Sequence, residues 1–278
     1  LAVFESENQE YNRRRKREEK QKMILFASDF DSTLRFTDEK GNGYFKDEDV
    51  KAIDAFRQEG NVFGICTGRP LHGMDEDLKG APEVDYVIAS SGGLITSLED
   101  HDYRILWEKT IPLQRVIEIY ERSEALGYQI YVHGDGYVYT VDHRRPHYDN
   151  QIVLKTLAEL NHSHISGISI WTPMDETAAA FTAQLDQEID DIAAYQNRNW
   201  MDIVPEGVSK GTGVIKAMEL FHCDHTVCIG DSYNDIPMLI DGELSFTFHS
   251  SPQEVKDAAD FVVENIAEAI AVAKEKLK

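Results

Sequence analysis

Two aspartates stand one residue apart, directly after the first long apolar run of the chain. Residues 24–27 read Ile-Leu-Phe-Ala, about the length of a buried strand, and Asp-Phe-Asp-Ser-Thr follows at 29–33. Ligands bind outside the carboxyl ends of strands in open α/β sheets, so Asp29 and Asp31 are candidate site residues. The alternative is an acidic turn, because Asp, Ser and Thr are also common turn residues.

Further polar residues stand at the ends of apolar runs or at the start of a helical pattern. Thr67 follows the second apolar run, Lys210 opens a helical pattern, and Asp231 and Asp235 follow a later apolar run. Taken alone, a lysine is usually solvated and a threonine at a strand end usually caps a turn. Only the joint order of these residues indicates a common site.

The elements that must position these groups alternate between strand and helix. The strand at 24–27, an amphipathic helix at 47–59 and a strand at 62–66 form a βαβ unit, which requires a parallel sheet with a right-handed crossover. A loop is expected at 38–44, where two glycines stand. Later elements extend this α/β pattern: strands at 84–89, 226–229, 245–248 and 261–263, and helices at 71–79, 214–220 and 266–277.

The middle of the chain has a different pattern. Residues 128–141 alternate around a Gly-Asp-Gly turn, which is typical of an antiparallel hairpin. The other predicted elements of this part are helices at 111–126, 150–160 and 175–187 and strands at 165–172 and 192–196. We therefore predict a charged N-terminal extension at 1–22, one domain from 23–100 and 198–278, and an inserted domain at 101–197.

The formal net charge of -22 argues against a nucleic-acid or anionic-membrane partner, because both are polyanions. A basic run at 13–17 is a local exception within the extension. Three cysteines are too few for a disulfide framework, which indicates a reducing, cytoplasmic location. No apolar run approaches the roughly 18 residues of a membrane span.

The order of motifs resembles that of the haloacid dehalogenase superfamily over most of the chain. The matching motifs are Asp-x-Asp-x-Thr at 29–33, Thr67 in Cys-Thr-Gly-Arg-Pro, Lys210 in Gly-Val-Ser-Lys-Gly, and the pair Asp231 and Asp235. The insertion is similar to the C2 cap of the Cof-type subfamily, subclass IIB. The resemblance implies an α/β fold with a Rossmann-like parallel sheet core and an inserted antiparallel α+β cap domain.

This resemblance also implies a Mg²⁺-dependent phosphatase of sugar phosphates and related small phosphorylated metabolites. Asp29 would be the nucleophile that forms an aspartyl phosphate, and Asp31 would be the general acid and then the general base. Because two carboxylates would repel a phosphate, a cation is needed, and Asp29, the backbone carbonyl of Asp31 and Asp231 would bind Mg²⁺. Asp235 would orient these ligands rather than bind the ion itself.

Four residues are expected to bind the phosphoryl group: Thr67, Gly68, Lys210 and Asn234. The Thr67 hydroxyl can donate to phosphoryl oxygens, and the Lys210 ammonium offers a point charge. In the inserted domain, Arg144 and Arg145 are candidate substrate contacts, since they form a cationic patch on a strongly acidic chain. A solvated linker is the alternative for that patch.

Two positions depart from the family pattern. Ser32 stands where the family usually has Gly, and we expect it to be tolerated at a negative φ. Ser91-Gly92 replaces an Asn-Gly pair after the third strand.

Two other functions use the same residues: a phosphotransferase or mutase, in which a sugar hydroxyl accepts the phosphoryl group, and a non-catalytic sensor of phosphoryl ligands. Retention of Asp29, Asp31, Lys210 and Asp231 together argues against the sensor.

Overall fold

Two large sheets organise the computed structural model, which describes residues 22–72, 74–99, 102–141, 151–160 and 164–277. The larger sheet has eight strands, the smaller has six, and a two-stranded ribbon accompanies them. The predicted fold class, a parallel α/β core with an inserted antiparallel α+β domain, is confirmed.

The strands are, in chain order, β1 (Ile24–Ser28), β2 (Arg35–Thr37), β3 (Gly43–Phe45), β4 (Val62–Cys66), β5 (Tyr86–Ala89), β6 (Leu94–Glu99), β7 (Asp102–Glu108), β8 (Gln129–Gly134), β9 (Tyr137–Thr140), β10 (Ile152–Val153), β11 (Ile165–Trp171), β12 (Ile192–Asn197), β13 (Trp200–Pro205), β14 (His225–Ile229), β15 (Leu244–Phe248) and β16 (Phe261–Val263). The α-helices are α1 (Asp47–Gln58), α2 (Met74–Asp77), α3 (Leu113–Ala125), α4 (Asp175–Glu188), α5 (Lys210–Phe221), α6 (Ile236–Asp241), α7 (Gln253–Ala258) and α8 (Ile266–Lys276).

Strand β1 lies at the centre of the larger sheet, whose order is β16-β15-β14-β1-β4-β5-β6-β7. Every residue of β1 is buried, and both of its neighbours, β14 and β4, run parallel to it. Parallel strands end at the same edge of a sheet, so the residues after β1, β4 and β14 are brought together. Strands β6 and β7 add an antiparallel edge.

The alternation of side chains along β1 fills both faces of this sheet. Phe26 packs against Phe56 of α1 and stacks on Phe63 of β4, with ring centroids 5.4 Å apart in the stacked pair. On the other face, Leu25 and Ala27 belong to a second apolar cluster with residues of α5 and β14. Successive residues of a strand point to opposite faces, which explains why β1 is apolar throughout.

The smaller sheet has the order β10-β9-β8-β11-β13-β12 and is antiparallel except for the β10 and β9 pair. Helices α3 and α4 bury apolar residues in the core of this unit, among them Val116, Ile119, Phe181 and Leu185. We call this unit, residues 111–205, the cap.

Two strands do not lie in the domain to which the predicted boundaries assign them. Strand β7 pairs in the larger sheet although it follows residue 101, and β13 pairs in the smaller sheet although it follows residue 198. We therefore propose that the chain changes domain near residues 109 and 206. Most of the predicted extension at 1–22 lies outside the described residues.

Two local predictions were wrong. Part of the predicted loop at 38–44 is strand β3, which pairs with β2 as an antiparallel ribbon. The described part of the predicted helix at 150–160 holds β10 and a 3₁₀ turn at Leu157–Leu160. Ile152 and Val153 are adjacent β-branched residues that favour a strand, and the Glu159 carboxylate accepts from the backbone of Lys155 and Thr156 to fix a turn instead of a helix.

Across the described ranges, no helix is both long and apolar enough to span a membrane.

The turn after β5 lies directly against the start of α5. Gly92 in this turn has a φ of +107°, and a Cβ added to it would lie 2.1 Å from the Ser209 carbonyl oxygen. Ser209 caps α5, since its hydroxyl accepts from the Thr212 amide at 3.0 Å. Because Gly92 has no side chain, the first turn of α5, which carries Lys210, can lie directly against the turn after β5.

We predict that Gly92→Ala is more destabilising than Gly136→Ala. Both residues have a positive φ, but a Cβ at Gly136 would meet nothing within 4 Å. Gly136→Ala should cost about 1 to 2 kcal/mol, from backbone conformation alone. Gly92→Ala should cost about 2 kcal/mol more, because the added methyl must displace backbone. Urea unfolding followed by circular dichroism measures both, and equal losses would contradict the close approach.

Candidate active site

A cavity of about 350 Å³ opens at the carboxyl ends of β1, β4 and β14. Its floor and sides include six of the residues predicted from the sequence: Asp29, Asp31, Thr67, Gly68, Asp231 and Asn234. Lys210 lies against this floor and is 1% exposed. The side chains predicted for the core site are thus brought to one place, and their roles stay predictions.

A buried ion network lies next to the cavity and reaches it at Asp29. The Lys210 ammonium donates to Asp29 Oδ1 and to Asp235 Oδ1, each at 2.6 Å. Burial disfavours the charge of Lys210, but the two facing carboxylates outweigh it and keep the lysine pKa well above its ordinary value. Burial, and then the charge of Asp235, raise the pKa of Asp29 well above its ordinary value.

Asp235 holds the loop after β14 in shape. Its Oδ2 accepts from the backbone amides of Asp231 and Ser232, both at 2.9 Å, while its Oδ1 accepts from Lys210. With both oxygens engaged, Asp235 suits the orienting role that was predicted for it better than direct metal binding. Asp231 accepts from the Thr33 hydroxyl at 3.0 Å.

Three carboxylates crowd together beside the single Lys210 ammonium. One oxygen from each of Asp29, Asp231 and Asp235 lies within 4.8 Å of the others. Burial, followed by repulsion from Asp235, raises the pKa of Asp231 to about 6, while the hydrogen bond from Thr33 and the charges of Lys210 and Arg198 counteract part of this rise. An excess of hard, partly buried oxygen ligands fits a divalent cation such as Mg²⁺, which would relieve this repulsion.

The Asp31 carboxylate is outside this cluster and pairs with Arg69. Two guanidinium nitrogens of Arg69 donate to the two oxygens of Asp31, at 2.6 and 2.7 Å. A third donates to Asp77 at 2.6 Å, and Asp77 also pairs with Arg35 of β2. Arg69 was present in the quoted motif but was given no role, although a fork of this kind fixes a carboxylate strongly.

The loops at the strand ends adopt special backbone geometry. Ser32 has a φ of +66°, so the negative φ at which Ser would be tolerated is not what the backbone adopts, and the family's usual Gly is explained by this left-handed conformation. Ser91 also has a positive φ, +49°, which the Asn of the family tolerates more easily. The Thr67 hydroxyl oxygen accepts from the Arg69 amide at 3.1 Å, so its proton is available to a ligand.

Asp202 of β13 is a pocket residue that sequence reasoning missed. It is buried, and it accepts from the hydroxyl of Ser91 at 2.8 Å and from that of Ser169 at 3.2 Å. Gly68 makes room for it, because a Cβ there would lie 2.2 Å from Asp202 Oδ2. Burial raises the pKa of Asp202. The signal available in the sequence was a single acid inside an otherwise apolar strand.

His133 continues this polar contact between cap and core. Its Nε2 lies 3.2 Å from the Ser169 hydroxyl, and its Nδ1 lies 3.1 Å from the Ser90 hydroxyl. Because Ser169 donates to Asp202, its oxygen accepts from the His133 Nε2 proton, and Nδ1 accepts from Ser90. Burial lowers the pKa of His133 to about 3, so the ring is neutral.

The cap also contributes the turn between β12 and β13, with Asn197, Arg198 and Asn199, to the wall of the cavity. Sequence reasoning did not single out this turn. It favoured Arg144 and Arg145, which lie outside the described residues.

The α/β core thus holds carboxylates and a buried lysine at the ends of its parallel strands, where residues of the inserted cap also line the cavity. Residues 26–275 match the haloacid dehalogenase-like hydrolase family, and the chain belongs to it. The predicted superfamily is confirmed, and so is the prediction that the protein is a phosphatase of the haloacid dehalogenase type.

Known relatives agree with this assignment. The chain is 24% identical to the phosphoglycolate phosphatase of Sulfurisphaera tokodaii over 241 residues, which cover 86% of this chain and 87% of the relative. A haloacid dehalogenase-like hydrolase of Bacillus subtilis shares its fold with a TM-score of 0.75 at 18% identity, over 91% and 99% of the two chains. A subclass IIB sugar phosphatase matches with a TM-score of 0.72 at 18% identity, over 91% and 98%. Both likenesses show a fold that is shared over 91% of this chain.

We predict that His133 makes the protein sensitive to acid. The ring stays neutral in the folded state but is protonated in the unfolded state below its ordinary pKa of about 6.5. The unfolded state therefore binds more protons, and the free energy of unfolding falls by about 1.4 kcal/mol for each pH unit between about 6.5 and 3. This contribution is fully present above pH 6.5.

His133→Gln keeps a donor toward Ser169 and removes the titrating group. Urea unfolding at several pH values should give a shallower acid loss for this variant than for the wild type, whatever its stability at neutral pH. Parallel pH profiles for the two proteins would contradict the buried neutral histidine.

Proposed function

We propose that this protein is a Mg²⁺-dependent phosphohydrolase of small phosphorylated metabolites, sugar phosphates among them, that acts through an aspartyl-phosphate intermediate. The observation that carries the proposal is the buried Asp29 carboxylate, which Lys210 holds by one oxygen at the carboxyl end of β1. Membership in the hydrolase family supports it, as do relatives named as a phosphoglycolate phosphatase and a sugar phosphatase.

Asp29 is assigned as the nucleophile. Lys210 fixes Oδ1, which leaves Oδ2 to attack phosphorus and form the acyl phosphate while the bond to the leaving alcohol breaks. Water then attacks the same phosphorus, releases inorganic phosphate and restores the Asp29 carboxylate. Lys210, the Thr67 hydroxyl, the Gly68 amide and the Asn234 amide would neutralise or bind the equatorial oxygens.

Asp31 is assigned as the general acid and base. It would protonate the leaving oxygen in the first step and take a proton from water in the second. The Arg69 fork supports this role by fixing the direction of the carboxylate. Each Asp31 oxygen keeps a further lone pair for the substrate or for water while it accepts from Arg69.

Mg²⁺ would be held by Asp29, Asp231 and the backbone carbonyl of Asp31, and when bound it would neutralise the charge that develops on the phosphoryl oxygens. The crowding of Asp29, Asp231 and Asp235 supports a cation at this place. Asp235, through the backbone amides that it accepts from, keeps the Asp231 ligand oriented. Arg144 and Arg145 stay candidate substrate contacts.

A phosphate-release assay over sugar phosphates and other small phosphate monoesters tests the proposal. Chelation with EDTA should abolish release, and Mg²⁺ should restore it, whereas Ca²⁺ should restore it poorly because its coordination shell is larger and looser. Asp29→Asn should lower kcat at least about a thousandfold, because an amide is a far poorer nucleophile of nearly the same shape. Exposed Asp257→Asn is the matched control and should match the wild type. Full activity after exhaustive chelation, or in Asp29→Asn, would refute the proposal.

A further inference from the structure

The cap turn at residues 197–199 reaches the cavity from the inserted domain, whereas the ion network belongs to the core. Asn197, Arg198 and Asn199 line the cavity together with Asp29 and Thr67 of the core. A phosphoryl group bound at Asp29 must have its leaving oxygen on the side away from the attacking carboxylate, since displacement is in line. The leaving group therefore extends toward the cap.

The turn is held in place at both ends. The Ser232 hydroxyl, beside the metal-binding candidate Asp231, donates to Asn197 Oδ1 at 3.1 Å. Gln196 Nε2 donates to the backbone carbonyl of Arg198 and to that of Asp175, each at 2.9 Å. Arg198 itself has a φ of +53°, where Asn or Gly would be less strained. An arginine is thus presented from a fixed turn at a position that favours other residues.

Arg198 differs from Lys210 and Arg69, two other cations at the cavity, in its carboxylate partners. Lys210 is neutralised by two carboxylates, and Arg69 pairs with Asp31 and Asp77. Among the residues that the structure describes, no carboxylate lies within 4.0 Å of the Arg198 guanidinium, and its side chain is exposed. A second anion on a substrate would meet repulsion from the carboxylates of the cavity, Asp202 among them, unless this cation received it.

We infer that Arg198 is a specificity-determining residue that binds an anionic group, a carboxylate or a second phosphate, on the leaving alcohol of the substrate. This inference rests on the proposed phosphatase function and narrows its substrate class. A guanidinium presents paired donors that match the two oxygens of a carboxylate or a phosphate. The small cavity suits a short leaving group that spans from the phosphoryl site to the turn.

Three phosphate esters whose leaving alcohols all have two carbons test the inference: 2-phosphoglycolate with a carboxylate, ethylene glycol bisphosphate with a second phosphate, and 2-hydroxyethyl phosphate with no second charge. Wild type should have a higher kcat/KM for at least one charged ester than for the neutral ester. The better charged ester identifies which anion is accepted.

Arg198→Asn removes the cation and suits the positive φ of the turn. It should lower kcat/KM for the preferred charged ester about 10-fold to 100-fold and for the neutral ester less than about 2-fold. Arg198→Lys should retain part of the preference, because it keeps the charge but loses the paired donors. Arg104→Ala, which removes an exposed arginine of β7 in the core sheet, is the matched control and should match the wild type on all three esters.

Equal losses on all three esters in Arg198→Asn, or a wild type that prefers the neutral ester, would overturn the inference while phosphatase activity stands. If the wild type with Mg²⁺ releases phosphate from none of these esters and from no ester of the wider screen, the proposed function fails and the inference fails with it. Urea unfolding of Arg198→Asn verifies that any loss is not one of folding.

Discussion

The buried contact of the Lys210 ammonium with Asp29 and Asp235 is the interaction on which the active-site architecture depends. An ammonium that is 1% exposed is costly to bury unless carboxylates face it closely, and both contacts are 2.6 Å long. The constraint joins the end of β1, the first turn of α5 and the loop after β14. It therefore holds these three segments together at the edge of the sheet where the candidate site lies.

A second set of buried polar contacts ties the cap to this core. Ser90 and Ser91 follow β5, and their hydroxyls bond to His133 and Asp202 of the cap sheet. Buried polar groups of this kind are stable only when they are paired, so these contacts fix where the cap sits. The same placement brings the Arg198 turn to the cavity that Asp29 also lines, which links the position of the cap sheet to the proposed choice of substrate.

The sequence was sufficient to predict that the core side chains meet, because the signal for each one lies in its own short segment of the chain. Asp29, Thr67 and Asp231 each follow an apolar run, and parallel strands bring such positions to one edge. The missed residues depend on contacts between distant segments: Asp202 meets Ser91 across 111 positions of the chain. The left-handed backbone of Ser32 was also unpredicted, since nothing in its neighbours excludes the extended region. Strands β6 and β7 were missed because an antiparallel edge added to a parallel sheet has no signal of its own in a βαβ pattern.

Covalent catalysis at Asp29 can be tested by trapping the aspartyl-phosphate intermediate. Wild-type protein with Mg²⁺ and a turned-over ester would be quenched in acid during turnover, and the acyl phosphate reduced with borohydride. Mass spectrometry of the tryptic peptide from Met23 to Arg35 should then find homoserine at position 29, because reduction of an aspartyl phosphate gives that residue. An unmodified Asp29 under conditions of full turnover, or homoserine at position 31 instead, would contradict covalent catalysis at Asp29.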